Sequence, residues 1–210
     1  MIPTFTIDST RAPTDLCMFG AQCGADKSPY NQNGHRHPYT GLYSVLLAPY
    51  RHKPIHFGEI GVAMGASVHL WRHYFGSARL DFFDRDTNFL AHASSFGYEN
   101  TQFHVMDVNS TKSIRDALVE SGDMFDVLLD DSSHNVEDQK NIVAAALPFI
   151  KPGGLLLIED VFRNETDKAY LDILEPVKDQ ISFYAFFLTE HANKYSPGWD
   201  NDKVLMIVKK

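Results

Sequence analysis

From Ile55 onward the chain alternates short apolar runs with segments of helical period. The runs PIHFGEI, ARLDFFD, TQFHVMD, FDVLLDD and GGLLLIED are each about five to seven residues long, which suits strands and is too short for helices. Between and after them the spacing of apolar residues predicts helices over Ala66 to Tyr74, Asn88 to Ser95, Thr111 to Glu120, Val136 to Phe149 and Asp167 to Glu175. Serine and threonine open the third of these and Gly122 closes it, the usual punctuation of a helix. Strand and helix in alternation predict an α/β domain whose parallel sheet is covered on both faces.

The two ends break the pattern. ISFYAFFL and KVLMIVKK are strand-like runs with only the loop TEHANKYSPGWDND between them, so they are expected to pair antiparallel at a sheet edge. Before Ile55, FGAQCGADKSPYNQNGHRHPYTG reads as loop and LYSVLLAPY as a short helix. A polar loop of that length carrying Tyr30, His35, His37 and Tyr39 suits a functional lid. The expected organisation is one domain, with residues 1–54 as a lid and substrate segment and residues 55–210 as the core.

Composition narrows the partners. At 210 residues, 44% apolar and 22% charged, the chain has the balance of a single globular domain. A formal net charge of −8, without clustered Lys and Arg, argues against a nucleic-acid surface and for a small-molecule or glycan acceptor. No apolar run approaches membrane-spanning length, and the N-terminus lacks the basic start and apolar run of a secretion signal. A cytoplasmic enzyme with Cys17 and Cys23 as free thiols is expected.

Candidate chemistry sits at the ends of the predicted strands. The first ends in EIGVAMGAS, where small residues make a tight turn into a helix whose N-terminus favours negative charge. The second ends at Asp84, a position from which a carboxylate accepts hydrogen bonds from ribose hydroxyls, and the third at Asp107. The fourth and fifth end in LLDDSSH and LLLIED. Asp130, Asp131, Glu159 and Asp160 therefore converge at one sheet edge, where like charges require a compensating cation. Oxygen ligands suit Mg²⁺, Mn²⁺ or Ca²⁺. His134, three residues beyond Asp131, is the candidate general base, because imidazole titrates near neutral pH. The plainer alternative is that the acids merely end strands while His134 caps the next helix.

Two groups of residues carry a family resemblance. Glu59 with the G-x-A-x-G spacing of Gly61, Ala63 and Gly65 resembles motif I of the class I S-adenosylmethionine-dependent methyltransferases. DDSSH followed by KPGGLLLIED is similar to paired motifs of the metal-dependent sugar O-methyltransferases, the group of the mycinamicin and related macrolide-sugar enzymes. The likeness runs from about Gly24 to Asp160, and it departs from the pattern at Ser132 and Ala63, where glycine is usual. It implies a Rossmann-like class I methyltransferase fold, with a mostly parallel seven-stranded sheet and an antiparallel last strand. It also implies S-adenosylmethionine held by Glu59, Gly61, Ala63, Gly65, Ser67, Asp84, Asp107 and Asp130, and Mg²⁺ (or Mn²⁺) on Asp131, Glu159 and Asp160, with His134 as base. The acceptor would be a sugar hydroxyl, on a deoxysugar such as rhamnose. Tyr39, Tyr195 and Trp199 are candidate substrate contacts, since aromatic rings offer flat apolar faces with polar edges. A catechol-type enzyme is a close rival. A nucleotide-cofactor dehydrogenase is a more distant one, because it gives the second acidic cluster no role.

Overall fold

The computed structural model describes residues 1–210. Eight strands, β1 (Thr4–Asp8), β2 (His56–Ile60), β3 (Arg79–Asp84), β4 (Thr101–Val105), β5 (Phe125–Asp130), β6 (Ile150–Ile158), β7 (Ile181–Glu190) and β8 (Lys203–Lys209), form one sheet in the order β1-β7-β8-β6-β5-β2-β3-β4. Seven α-helices accompany them: α1 (Asp15–Cys23), α2 (Tyr39–Leu46), α3 (Ala66–Tyr74), α4 (Thr87–Ser94), α5 (Thr111–Ser121), α6 (Val136–Ala146) and α7 (Asp167–Leu174). Only β8 runs antiparallel to its neighbours, β6 and β7.

Local chemistry sets the boundaries. Thr14, Ser110, Asn135 and Thr166 each accept a backbone N–H with their side chains at the starts of α1, α5, α6 and α7, satisfying donors that have no partner inside the helix. Asn135, not His134, caps α6, so the imidazole is left for other work. The α6 helix also stops at Ala146, with a single 3₁₀ turn through Pro148 replacing the expected α-helix as far as Phe149, because proline lacks the amide proton.

The sheet buries both faces. One core cluster of 26 buried residues includes Ile114, Leu118, Ile142 and Ile173 from α5, α6 and α7, and a second of 25 includes Tyr43, Val68, Trp71 and Leu90 from α2, α3 and α4. All five residues of β2 are buried, as expected of a central parallel strand.

Two N-terminal elements depart from the sequence expectation. β1, mostly exposed, adds an eighth strand by pairing parallel with β7, and α1 fills part of the stretch read as loop. No helix is long and apolar enough to cross a membrane, and both cysteines are free.

The order reverses at β2, which pairs with β3 on one side and β5 on the other. That switch point opens a crevice beyond the strand ends. Gly61 closes it tightly: its φ is +100°, and a Cβ there would lie 2.0 Å from the carbonyl oxygen of Asp131. Gly61→Ala is therefore expected to lose more than about 2 kcal/mol in chemical denaturation. Gly76→Ala, at a position with nothing within 4 Å, should stay within about 0.5 kcal/mol of the parent.

Candidate active site

A cavity of about 540 Å³ occupies the switch-point crevice. Its walls come from the turn after β2 (Gly61 to Met64, Ala66 and Ser67), the end of β3 (Phe83, Asp84 and Arg85), Met106 and Val108 after β4, and Asp131, Ser132 and Ser133 after β5. The N-terminal segment adds Gly24, Asp26, Asn31, Asn33, Gly34 and His35. Such a cleft, apolar on one side and ending at a helix N-terminus, suits a nucleoside ligand with a charged tail.

Among the residues expected around a cofactor, Gly61, Ala63, Ser67 and Asp84 line this cavity. Asp84 Oδ2 accepts hydrogen bonds from the amides of Val62 (2.9 Å) and Ala63 (3.3 Å), and Oδ1 accepts one from Asp86 (2.9 Å), which fixes the turn against β3. Gly65 adopts φ +81° as the N-cap of α3. Three others lie elsewhere. Asp107 points to solvent and folds back on Asn109, accepting from its backbone and side-chain amides at 3.1 Å each; Met106 and Val108 line the cavity instead. Asp130 is buried, and Ser132 donates to it from Oγ at 2.6 Å, so the serine that replaces the motif's glycine serves as a carboxyl cap. Burial, against the bonds from Ser132, pushes the Asp130 pKa up to about 7. Glu59 has no accessible surface; its carboxylate faces Lys27 Nζ at 3.4 Å.

Lys27 lies within the stretch GADK covered by the family resemblance, but the sequence reading gave it no role. Its side chain is buried, and its ammonium group binds Asp131 Oδ2, Glu159 Oε2 (2.5 Å) and Glu59 Oε1. Burial opposes its charge, but Asp131, Glu159 and Glu59 outweigh that and hold its pKa well above the ordinary lysine value. The same ammonium, with His134, keeps Asp131 ionised against the cost of burial. Part of the compensation expected from a metal ion is thus built into the chain. The signal available in the sequence was this GADK stretch itself, upstream of an acid cluster without local countercharge.

Beyond Lys27 the acids have further partners. Glu159 also receives a hydrogen bond from the Tyr43 hydroxyl at 2.5 Å. Asp160, at φ +55°, has Oδ1 within reach of the Tyr39 hydroxyl (2.9 Å) and the Asn201 amide (2.5 Å), while His37, itself bound to Asp202 at 2.8 Å, stands 4.0 Å away. His134 Nε2 sits between Asp131 Oδ1 and Asp160 Oδ2, 3.3 Å from each. Ligand atoms of Asp131, His134 and Asp160 all lie within 4.8 Å of one another. This grouping differs from the expected Asp131, Glu159 and Asp160 set, because Glu159 is turned to Lys27 and Tyr43.

The surroundings of His134 and Tyr39 bear on the roles expected of them. Burial disfavours charge on His134, yet its bond to Asp131 and the charges of Asp160 and Asp131 carry its pKa up to about 9. Tyr39 is fully buried and orients Asp160, out of reach of an acceptor. Tyr195 and Trp199 are half exposed on the loop between β7 and β8.

The imidazole of His134 lies between two carboxylates. Two carboxylate oxygens beside an imidazole are a donor set that fits Mg²⁺ or Mn²⁺, ions that bind one or two carboxylates and keep several waters.

The parallel sheet, the crevice at its switch point and the acid cluster beyond it define a class I methyltransferase fold, and residues 59–161 match the family described as methyltransferase domain. Within that class the chain resembles the sugar O-methyltransferases. It is 27% identical over 166 residues to the 8-demethyl-8-(2-methoxy-alpha-L-rhamnosyl)-tetracenomycin-C 3'-O-methyltransferase of Streptomyces olivaceus, covering 73% of this chain and 38% of that protein. It is 27% identical over 139 residues to the mycinamicin VI 2''-O-methyltransferase of Micromonospora griseorubida, covering 61% of this chain and 33% of that one. The chain thus spans between a third and two fifths of the length of these relatives. The MycE methyltransferase of the mycinamycin pathway, solved with Mg, SAH and mycinamycin VI, superposes with a TM-score of 0.70 at 21% identity, over 95% of this chain and 55% of that one.

Removing Lys27 leaves buried carboxylates without their cation. Lys27→Met is expected to destabilise the protein by about 3 to 5 kcal/mol in urea denaturation, and Lys27→Met combined with Glu159→Gln should recover part of that loss.

Proposed function

We propose that the protein is an S-adenosylmethionine- and Mg²⁺-dependent O-methyltransferase acting on a sugar hydroxyl, with residues 1–54 roofing the site and residues 55–210 as the catalytic core. The observation that carries this reading is the pair of carboxylates, Asp131 and Asp160, facing His134 Nε2 at 3.3 Å each on the cavity's edge. The motif pair DDSSH and IED, and the named activities of the relatives, support a sugar acceptor over an aromatic diol.

The sulfonium donor supplies an electrophilic methyl group, and a divalent ion supplies polarisation of the acceptor hydroxyl. Asp131 and Asp160 would hold that ion, with Glu159 behind them as a second carboxylate layer. Asp84 and the turn from Gly61 to Ser67 would hold the donor's nucleoside and tail, and the N-terminal segment from Gly24 to His35 would exclude water from above. His134 Nε2, facing both carboxylates, is the chain's own group placed to accept the proton of the hydroxyl, and a cation held by Asp131 and Asp160 would weaken its hold on a proton of its own. The remaining contribution of the chain is alignment, keeping reacting atoms about 3 to 3.5 Å apart and in line.

The test joins activity to titration. Chelation should abolish methyl transfer from labelled S-adenosylmethionine to glycosides and Mg²⁺ should restore it, whereas His134→Ala should lower turnover by roughly 10²- to 10⁴-fold and keep S-adenosylhomocysteine binding. By NMR, the His134 ring should titrate near the metal-free value of about 9 and at lower pH once Mg²⁺ is added. The acidic limb of the rate profile should follow that lower value, since protonation below it removes the base. Full activity in chelator would refute the metal-dependent reading.

A further inference from the structure

Trp199 is 46% exposed, yet the loop that carries it is tied down on both sides. Upstream, Tyr195 exchanges backbone hydrogen bonds with Arg36 (2.8 and 3.1 Å), and the Arg36 guanidinium lies 5.0 Å above the Tyr195 ring. Downstream, the Arg163 amide donates to the Asp200 carbonyl (2.8 Å), Asp202 holds His37, and Asn201 reaches Asp160. The indole therefore stays in place in the open rather than folding into the core. One of its faces is covered by Phe162, stacked at 5.6 Å between centroids and 28° between planes. His134 meets it edge-on, at 6.1 Å and 86°. Indole and imidazole thus form a corner, with the carboxylates of Asp131 and Asp160 on the imidazole side.

A rigid, partly exposed tryptophan gives a large contact area at little cost in side-chain entropy. The negative face of its ring attracts weakly positive C–H groups. A molecule that fits this corner needs a flat face of C–H groups and a hydroxyl at its rim, one ring-width away at His134. A pyranose ring has that shape. We propose that the Trp199 ring, backed by Phe162, is the platform on which the acceptor's pyranose ring lies while its reacting hydroxyl reaches His134. This rests on the sugar O-methyltransferase reading above and adds the subsite for the ring to it. The sequence pointed to Trp199 as a substrate contact; Phe162, two residues beyond Asp160, was not foreseen, and its stacking is what fixes the indole.

The experiment uses the whole chain with Mg²⁺, S-adenosylmethionine and methyl α-L-rhamnopyranoside, whose aglycone has no aromatic ring of its own. Trp199→Ala is expected to raise KM for the glycoside about tenfold, leaving kcat and S-adenosylhomocysteine affinity within about threefold, and Trp199→Phe should restore most of the loss, because a tenfold change in binding corresponds to about 1.4 kcal/mol, within reach of one aromatic contact. Saturation-transfer NMR should show the strongest signals on hydrogens of one sugar face, and they should vanish in Trp199→Ala. An unchanged KM and unchanged saturation pattern in Trp199→Ala, with an active parent enzyme, would overturn the platform and leave the methyltransferase reading standing. A parent enzyme that methylates catechol and no glycoside would overturn the sugar reading and the platform with it.

Discussion

The contact on which the rest of the site depends is the buried ammonium of Lys27 among Glu59, Asp131 and Glu159. These three acids sit at or just beyond the ends of β2, β5 and β6, the strands flanking the switch point. Bringing them together without water costs several kcal/mol per ion, and only a cation within hydrogen-bonding distance offsets it. Because Lys27 comes from the N-terminal segment, the same contact that neutralises the strand ends also draws that segment over the cavity. Ser28, donating to the Cys17 carbonyl at 2.7 Å, and His37, donating its amide to the Asp26 carbonyl at 2.7 Å, hold it there. What reads as a free lid is anchored along most of its length: Ala25, Lys27, Ser28, Asn31 and His37 are buried, while Gln32, Asn33 and Gly34 form an exposed tip.

Lys27 also divides the acids by task. Asp131 gives one oxygen to Lys27 and turns the other to His134, so it links the inner acids held on Lys27 to the outer pair around His134. Asp160 is aimed into the outer layer by Tyr39 and Asn201. The charge left on Asp131 and Asp160 is what raises the His134 pKa, and it is the same charge that a divalent ion would use. Base strength and metal binding are therefore linked through two carboxylates.

Much of this was legible in the sequence, and the parts that were not share a physical cause. β2, β3, β5 and β6 are apolar because both faces are buried, and the acids that follow them mark the chemical edge without ambiguity. β1 was hidden because it is short and mostly exposed, so TFTID carries no burial pattern. Asp107 stays outside the cavity lining, because a strand-end position does not say which way the next turn aims its side chain; the local Asx turn to Asn109 decided that. Lys27 lies 104 and 132 residues from Asp131 and Glu159, and nothing in local spacing joins them. Only the excess of uncompensated acid hinted that a cation was needed, and the expected metal stood in for the lysine in that reasoning.

The central claim is that, with Lys27 holding the inner acids, one position for a divalent ion remains between Asp131 and Asp160, beside His134. Crystals grown with Mn²⁺ and S-adenosylhomocysteine and measured at the manganese absorption edge test it most directly. The account predicts one anomalous peak touching both carboxylates, with Lys27 still bound to Glu159. A peak that displaces Lys27 from the inner acids, or no peak between Asp131 and Asp160, would contradict it.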